Sequence, residues 1–121
     1  MTRKFILLLL LLYVSAGASG QTGKYILTDT DLSNSLVNQI FQDRNGIIWI
    51  ATEDGLNRYD GSKVTIYKHE AGNPNSPLHN YARTISEDSR GNFYLSYFNG
   101  LQTYDDATGR FTEIPLLLEG D

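Results

Sequence analysis

The stretch FQDRNGIIWIATEDGLNRYDG, residues 41–61, has a regular alternation of apolar runs and turn residues. Its apolar residues lie between three turn pairs, Asn45-Gly46, Asp54-Gly55 and Asp60-Gly61. Asn-Gly and Asp-Gly favour the positive φ angles of tight hairpin turns. The apolar runs between these pairs are short and rich in β-branched residues, as is typical of strands. The stretch therefore predicts antiparallel strands joined by hairpins.

A second copy of this pattern follows 45 residues later. Aligned at that offset, residues 40–60 and 85–105 are identical at seven of 21 positions. Random pairing at ordinary residue frequencies would give roughly one or two identities. The identical pairs are turn residues and the apolar residues between them: Ile40/Ile85, Asp43/Asp88, Gly46/Gly91, Gly55/Gly100, Leu56/Leu101, Tyr59/Tyr104 and Asp60/Asp105. The chain therefore contains an internal repeat.

Each copy predicts four antiparallel strands. The predicted strands are Val37–Gln42, Ile47–Thr52, Leu56–Tyr59 and Lys63–Lys68, then Ala82–Glu87, Phe93–Tyr97, Leu101–Tyr104 and Arg110–Ile114. Four short strands per repeat of this length are the signature of a β-propeller blade, which needs a neighbour on each face. A β-sandwich would not repeat this closely, and a β-solenoid would have a shorter period. The predicted fold class is all-β, with two four-stranded antiparallel β-propeller blades, a partial propeller, after an N-terminal signal peptide.

The first twenty residues have the three-part layout of a secretory signal peptide. Arg3 and Lys4 precede the apolar run Phe5–Val14, and small residues follow it. That run is shorter than the roughly 20 residues that cross a bilayer. An N-terminal membrane anchor or a buried helix is the alternative. We expect cleavage near Ala18 or Gly20 and a periplasmic location.

The rest of the chain divides by composition and repeat. Residues 69–80 are rich in Asn, Pro and Ser, so this loop is predicted to be exposed. Lys24–Leu27 is predicted to form a short lead-in strand. The predicted segments are the signal peptide (1–20), a lead-in strand and loop (21–35), blade 1 (36–68), an interblade loop (69–80), blade 2 (81–115) and the start of a next element or a tail (116–121).

Composition argues against several function classes. The formal charge is −4 and the basic residues are scattered singly, which excludes a nucleic-acid partner. The chain has no cysteine, and no serine stands in a nucleophile elbow. The acid pairs Glu53-Asp54 and Asp105-Asp106 lie in turns, whereas a glycosidase places two carboxylates across a cleft, roughly 5–10 Å apart. We therefore predict no catalytic residue and no enzyme, and an exported carbohydrate-active enzyme has little support.

Metal and cofactor sites are not predicted either. The histidines, His69 and His79, lie beside or within the interblade loop without enough partner ligands. Asp43-x-Asn45-Gly46 resembles the start of a calcium loop but lacks the downstream bidentate Glu. Turn chemistry explains the Asp and Gly of this segment.

Aromatic residues are the remaining candidates for ligand contact. Those on the second strand of each copy are predicted to pack between blades: Trp49, Tyr94 and Tyr97. Tyr67, Tyr81 and Phe98 lie nearer strand ends and loops. Such side chains either stack on a sugar ring or simply pack against the protein.

The run Asp43-x-x-Gly46-x-x-Trp49-Ile50-Ala51-Thr52-x-x-Gly55-Leu56-x-x-Tyr59-Asp60 resembles the two-component regulator propeller repeat. In that family the core of the repeat reads Trp-Ile-Gly-Thr, so Ala51 here replaces a Gly. The second copy departs further, with Tyr94-Leu95-Ser96-Tyr97 at these positions. The resemblance covers nearly all of the chain after residue 20, and the motif is specific in the first copy.

The resemblance implies a sensor. Such repeats fill the periplasmic sensor region of hybrid two-component histidine kinases of Bacteroidetes, where an oligosaccharide is the implied ligand. The chain is then expected to be an N-terminal fragment of such a sensor, reaching the membrane only through segments outside these 121 residues. The alternative is a stand-alone exported two-blade binding or self-assembling module. Because two blades leave two faces uncovered, we expect apolar surface on both, low solubility or self-association, and two to four copies closing a ring of about four to eight blades.

Overall fold

The computed structural model describes residues 31–116, which form eight strands and no helix. Within these residues nothing helical has the length and apolar character that crossing a membrane requires. The predicted signal peptide and lead-in strand, and residues 117–121, lie outside the described part. The strands are β1 Val37–Gln42, β2 Ile48–Thr52, β3 Gly55–Tyr59, β4 Val64–Tyr67, β5 Thr84–Glu87, β6 Phe93–Tyr97, β7 Gly100–Asp105 and β8 Arg110–Ile114.

These strands form two four-stranded antiparallel sheets in sequential order, β1-β2-β3-β4 and β5-β6-β7-β8. We call the first sheet blade 1 and the second blade 2. Each of the eight blade strands expected from the sequence is present within two residues of its expected bounds, and the predicted all-β class of two propeller-type blades is confirmed. The hairpin turns use the predicted glycines: Gly46 has a φ of 84° and Gly55 a φ of 137°. Both sheets therefore follow from local features of the sequence, namely the turn residues and the alternation of side chains between the two faces of a strand.

The two blades pack face to face over a shared apolar core. Trp49 is fully buried at its centre, as the sequence predicts. The buried apolar residues of this cluster are Trp49, Ala51, Leu56, Ala82, Ile85, Phe93, Leu95, Tyr97, Tyr104 and Phe111. Burial between the blades is the main stabilising contribution, because a single sheet of this kind has no other apolar partner.

The two blades are stacked with the same orientation, so residues that are equivalent in the repeat lie on the same side of their own blade. One of an equivalent pair can therefore lie between the blades while the other lies on an outer face. Trp49 of blade 1 points toward blade 2, whereas its repeat equivalent Tyr94 lies on the far side of blade 2. The prediction that Tyr94 packs between blades is therefore wrong: its side chain is half-buried. Tyr97 points back toward blade 1 and is 5% exposed, as predicted. Alternation along each strand places neighbouring positions on opposite faces.

Each blade keeps one face that the other does not cover. The free face of blade 1 has two cross-strand rows, Ile40–Ile50–Asn57–Ile66 and Gln42–Ile48–Tyr59–Val64. The free face of blade 2 has the rows Thr84–Ser96–Leu101–Ile114 and Ser86–Tyr94–Thr103–Thr112. Apolar exposure was expected on both faces; on blade 1 it is found at Ile40 and Ile66 of the edge strands, whereas Ile50 at the centre of the face is buried. The free face of blade 2 is dominated by hydroxyl side chains.

The interblade loop is less exposed than its composition predicts, since Ser76 and Pro77 are buried. The cause is Gln102 on β7, which is 1% exposed. Its Nε2 donates to the Ser76 carbonyl (2.9 Å), and its Oε1 accepts the Leu78 N–H (3.2 Å). The buried amide group of Gln102 therefore holds the end of this loop against blade 2.

Blade 1 holds its own lead-in segment in the same way. The Oδ1 atom of Asn57 accepts the Ser33 N–H at 2.9 Å, and its Nδ2 donates to the Ser33 hydroxyl at 2.8 Å. Ser33 and Leu78 are 45 residues apart, as are Asn57 and Gln102. The repeat unit therefore includes the segment before the first strand of each blade.

Candidate functional site: the blade interface and its edges

The turn after β1 is built on the carboxylate of Asp43, which is 8% exposed. Its Oδ1 accepts the backbone N–H groups of Asn45 and Ile47 at 2.9 and 3.0 Å. Its Oδ2 accepts the indole N–H of Trp49 at 3.0 Å. These bonds explain the spacing Asp-x-x-Gly-x-x-Trp, because the Asp43 carboxylate both closes the turn and orients the indole ring of Trp49 in the core.

The second blade repeats this arrangement with different partners. Asp88 accepts the backbone N–H groups of Arg90 and Asn92, both at 2.9 Å, and the hydroxyl of Tyr94 at 3.2 Å. The side chain of Asn92 donates at 2.8 Å, and this bond is the main cause that lowers the pKa of Asp88. In both blades, including the segment Asp43-x-Asn45-Gly46 that resembles the start of a calcium loop, the carboxylate of the turn accepts hydrogen bonds from its own turn and from an aromatic side chain.

An aromatic cluster surrounds Trp49 at the blade interface. The ring of Trp49 lies 4.7 Å from Phe93 and 5.1 Å from Tyr104, between centroids. Tyr67, considered above as a sugar-stacking residue, packs into this cluster: its ring is 6.2 Å from Trp49 and its hydroxyl is 3.2 Å from that of Tyr104. Tyr67 therefore supports the interface and does not stand at a ligand surface.

Among the polar side chains of blade 1 that bond to blade 2, we call Gln39, Arg44 and Arg58 the cross-blade links. Gln39 pairs with the backbone of Ile85, accepting its N–H at 2.7 Å and donating to its carbonyl at 3.1 Å. Arg44 donates to the carbonyls of Asp88 and Ser89 at 3.2 and 2.9 Å. These contacts tie the first strand and first turn of blade 2 to blade 1.

The third cross-blade link is an ion pair. Arg58 donates two hydrogen bonds, both of 2.9 Å, to the two carboxylate oxygens of Asp106. Its guanidinium also lies 5.9 Å from the Trp49 ring centroid. The hydrogen bond that Arg58 donates to Asp106 is the largest cause that raises the pKa of Arg58. A bidentate pair of this geometry fixes the relative position of two elements better than a single contact does.

The acid pairs noted in the sequence have structural partners. Asp106 binds Arg58, while Asp105 accepts the Ala107 N–H in its own turn at 3.0 Å. Asp54 forms an ion pair with Lys68 at 2.9 Å, beside Glu53 in the β2–β3 turn. These contacts give the carboxylates roles in turns and in blade packing.

The edge that carries the β2–β3 and β6–β7 turns presents the most exposed aromatic side chain. Phe98 is 66% exposed and its ring lies 4.6 Å from that of His79. The Nδ1 atom of His79 accepts the N–H of Tyr81, which is half-buried. His69 lies in the interblade loop with its Nδ1 atom 2.8 Å from the Pro77 carbonyl. We call Phe98, His79 and Tyr81 the aromatic edge.

Metal-ligating groups do not converge in the described part of the chain. Residues 31–116 contain no group of three or more His, Asp or Glu side chains placed to hold a metal ion. The two histidines of this part are instead engaged by loop backbone, as described above.

Sequence reasoning missed the cross-blade links and the buried amides. Gln39, Arg44 and Arg58 have no repeated counterpart, so nothing in the pattern marks them. The pair Asn57 and Gln102 did carry a signal, because both copies place an amide at the same position of the third strand. A buried amide in mid-strand needs hydrogen-bond partners, which here come from the segment that precedes each blade.

Comparison with known proteins agrees with this architecture. Residues 31–54, which include Asp43, Gly46 and Trp49, match the family model described as Two component regulator propeller. Residues 31–54 are thus similar to a two-component regulator propeller repeat. The resemblance expected from the motif is therefore confirmed.

Parts of the chain are also similar to parts of two larger proteins. Histidine kinase P4 of Formosa agariphila is 47% identical over 38 residues, which are 31% of this chain and 3% of that protein. The crystal structure of the extracellular domain of the hybrid two component system BT3049 from B. thetaiotaomicron aligns with 74% of this chain and 19% of its own, at 21% identity and a TM-score of 0.40. The chain thus spans a small part of each of these proteins.

Proposed function

We propose that this chain is the N-terminal fragment of a periplasmic β-propeller sensor domain of a two-component regulator of the hybrid histidine kinase type. Within that sensor its role is recognition and packing, not catalysis. The family match over residues 31–54 and the similarity to a histidine kinase support the proposal. The observation that carries it is a comparison of two equivalent isoleucines.

Ile40 and Ile85 occupy the same position of the repeat, on the first strand of each blade. Ile85 is 2% exposed because blade 1 covers it, whereas Ile40 is 66% exposed. Ile66, on the same free face as Ile40, is 47% exposed. Large apolar side chains clustered on one face mark a surface that binds another protein element. The free face of blade 1 therefore suits a further propeller blade in a longer receptor.

The ligand we propose for that receptor is an oligosaccharide that contacts the aromatic edge. An exposed aromatic face stacks on the apolar face of a sugar ring, and Phe98 offers the most exposed aromatic ring of the described residues. The neighbouring Asn99 and His79 supply polar groups beside it. A neutral, hydroxyl-rich ligand also fits an edge without a concentrated charge of one sign.

The size of the native protein tests the fragment proposal. An antibody against the purified chain is used to probe envelope fractions of the source cells. We expect a species far larger than the 13.6 kDa of this chain. A species of that mass or slightly smaller, with none larger, would overturn the proposal.

The oligosaccharide is tested separately on the large species. Its melting temperature is measured with a panel of neutral oligosaccharides, and we expect one of them to raise it. Phe98→Ala should remove that shift, while Ile66→Ala, an equally simple truncation on the free face of blade 1, should keep it. A shift that survives Phe98→Ala would show that the ligand binds elsewhere.

A stand-alone exported two-blade module is the second candidate, and one observation favours it. The free face of blade 2 is rich in hydroxyl groups, which is the property of the capping unit that ends a stack of repeats. In this case the native species in the envelope fraction has the mass of the chain itself.

A further inference from the structure

Blade 2 is an open sheet, with β5 at one edge and β8 at the other. The outward N–H and C=O groups of an edge strand are a template for pairing with another extended strand, and native proteins block such edges. In this chain amide side chains from outside the sheet bond to backbone groups on both edge strands. They belong to Asn38 and Gln39 of blade 1 and to Asn75 of the interblade loop.

The edge of β5 is bonded by two consecutive residues of β1. Gln39 takes both backbone groups of Ile85: its Oε1 accepts the N–H at 2.7 Å and its Nε2 donates to the carbonyl at 3.1 Å. Asn38 donates from Nδ2 to the Ala82 carbonyl at 2.7 Å. A primary amide carries the same donor and acceptor as a peptide group. Gln39 therefore makes the two bonds that a residue of a neighbouring antiparallel strand would exchange with Ile85.

A bulge in β1 allows this double contact. The register of β1 against β2 shifts between Val37 and Gln39, which makes Asn38 the extra residue. In a regular strand two neighbouring side chains point to opposite faces, whereas a bulge re-aims one of them. The bulge thus lets Asn38 and Gln39 both reach the first strand of blade 2.

The edge of β8 is bonded by the interblade loop. The N–H of Phe111 donates to Oδ1 of Asn75 at 2.8 Å. Gln102 holds this part of the loop in place, because its Nε2 donates to the carbonyl of Ser76, the residue after Asn75. Both edge strands of blade 2 therefore end in contacts with side-chain amides.

We infer that Asn38, Gln39 and Asn75 are edge caps, which keep an extended strand of a second copy from pairing with β5 or β8. A strand added to a sheet carries a new free edge on its far side, so that growth can continue. A side-chain amide makes the same hydrogen bonds but adds no strand, so the ladder ends there. The inference concerns the strand edges alone and does not depend on the proposed receptor or ligand.

Amide hydrogen exchange tests the cap on β8. The chain is exported to the periplasm of a bacterial host, purified with isotope labels and followed residue by residue by NMR. Asn75→Ala removes the acceptor and should speed exchange at Phe111 at least about tenfold, whereas Asn75→Asp keeps an acceptor oxygen and should retain the protection. Leu95 on the central strand β6 should be unchanged in both variants. Unchanged exchange at Phe111 in Asn75→Ala, or an equal acceleration at Leu95, would overturn the inference.

Association tests the role of the caps. The double variant Gln39→Met/Asn75→Ala opens both edges, since Met has nearly the length of Gln but lacks its amide. Arg58→Met is the matched control, because it removes a cross-blade link whose partner is the side chain of Asp106 and not a strand edge. Each variant is held at the same interval below its own melting temperature, and intermolecular β-sheet is followed by infrared spectroscopy. We expect this signal to grow at least about tenfold faster in the double variant than in the control.

Two results of this comparison would overturn the inference. Equal rates in the double variant and in Arg58→Met would show that association follows from weakened blade packing. No growth of the signal in either would show that the opened edges do not pair. If Gln39→Met does not fold, Asn75→Ala alone is compared with the control in the same way, because Asn75 is an exposed loop residue.

Discussion

The indole N–H of Trp49 donates to the carboxylate of Asp43 at 3.0 Å, and this bond joins the first turn of blade 1 to the centre of the core. Tyr94 makes the equivalent bond to Asp88 at 3.2 Å, although it lies on a free face. The two copies thus keep one turn-to-aromatic contact while the surroundings of the aromatic ring differ. This contact explains why the repeat couples an acidic turn to an aromatic residue six positions later.

Asp43→Ala should destabilise the chain more than Asp88→Ala. The change at Asp43 leaves the indole N–H of Trp49 without its partner in a buried site, and an unpaired buried donor costs about 1–3 kcal/mol. Around Asp88 water replaces the lost acceptor more readily, because Tyr94 is only half-buried. Denaturant unfolding of the two variants measures the difference. Equal losses would show that the bond to Trp49 contributes little.

Trp49→Ala should cost roughly 3–5 kcal/mol, the usual range for truncation of a large buried aromatic residue. That is a large share of the 5–15 kcal/mol that stabilise a typical domain. Trp49 is the single tryptophan, so native fluorescence reports on this position directly. We expect blue-shifted emission that soluble quenchers barely reduce. Red-shifted, fully quenchable emission in the folded state would contradict the buried position.

Gly55→Ala should destabilise the chain by more than about 1 kcal/mol. Gly55 has a φ of 137°, and a Cβ atom there would lie 2.7 Å from the hydroxyl oxygen of Ser33. Gly61→Ala is the matched control, because its φ is 95° but no atom lies within 4 Å of the added Cβ. Thermal unfolding of both variants should show the larger loss at Gly55. A neutral Gly55→Ala would contradict the close packing of the lead-in segment on blade 1.

Tyr97→Phe should leave stability unchanged or raise it. The Tyr97 hydroxyl is buried without a hydrogen-bond partner, so its removal relieves a desolvation cost. Burial also raises the pKa of Tyr97 above its ordinary value of 10.0. The raised folded-state pKa means that stability is complete below the ordinary value and is lost as pH rises above it. The Phe variant should therefore lose less stability on going to high pH, as measured by urea unfolding at several pH values. A clear loss at neutral pH would contradict an unpaired hydroxyl.

The strands, the turns and the repeat could all be predicted from the sequence. Asn-Gly and Asp-Gly pairs act locally, and strand alternation follows from the backbone, so neither needs a distant partner. Gly46 and Gly55 take the positive φ angles that their turns require. The turn-to-aromatic motif was also readable, because all its partners lie within a few residues of Asp43.

The covered face of each blade and the contacts that join the blades are visible only in the folded structure. Ile40 and Ile85 are identical in sequence and opposite in exposure, because a neighbouring sheet covers only one of them. The cross-blade links connect residues 44 to 48 positions apart in the sequence. They use Arg and Gln side chains, which are also common on ordinary solvent-exposed surfaces, so the residue type does not reveal the link. Their role depends on the stacking of two whole sheets, and no local pattern specifies that geometry.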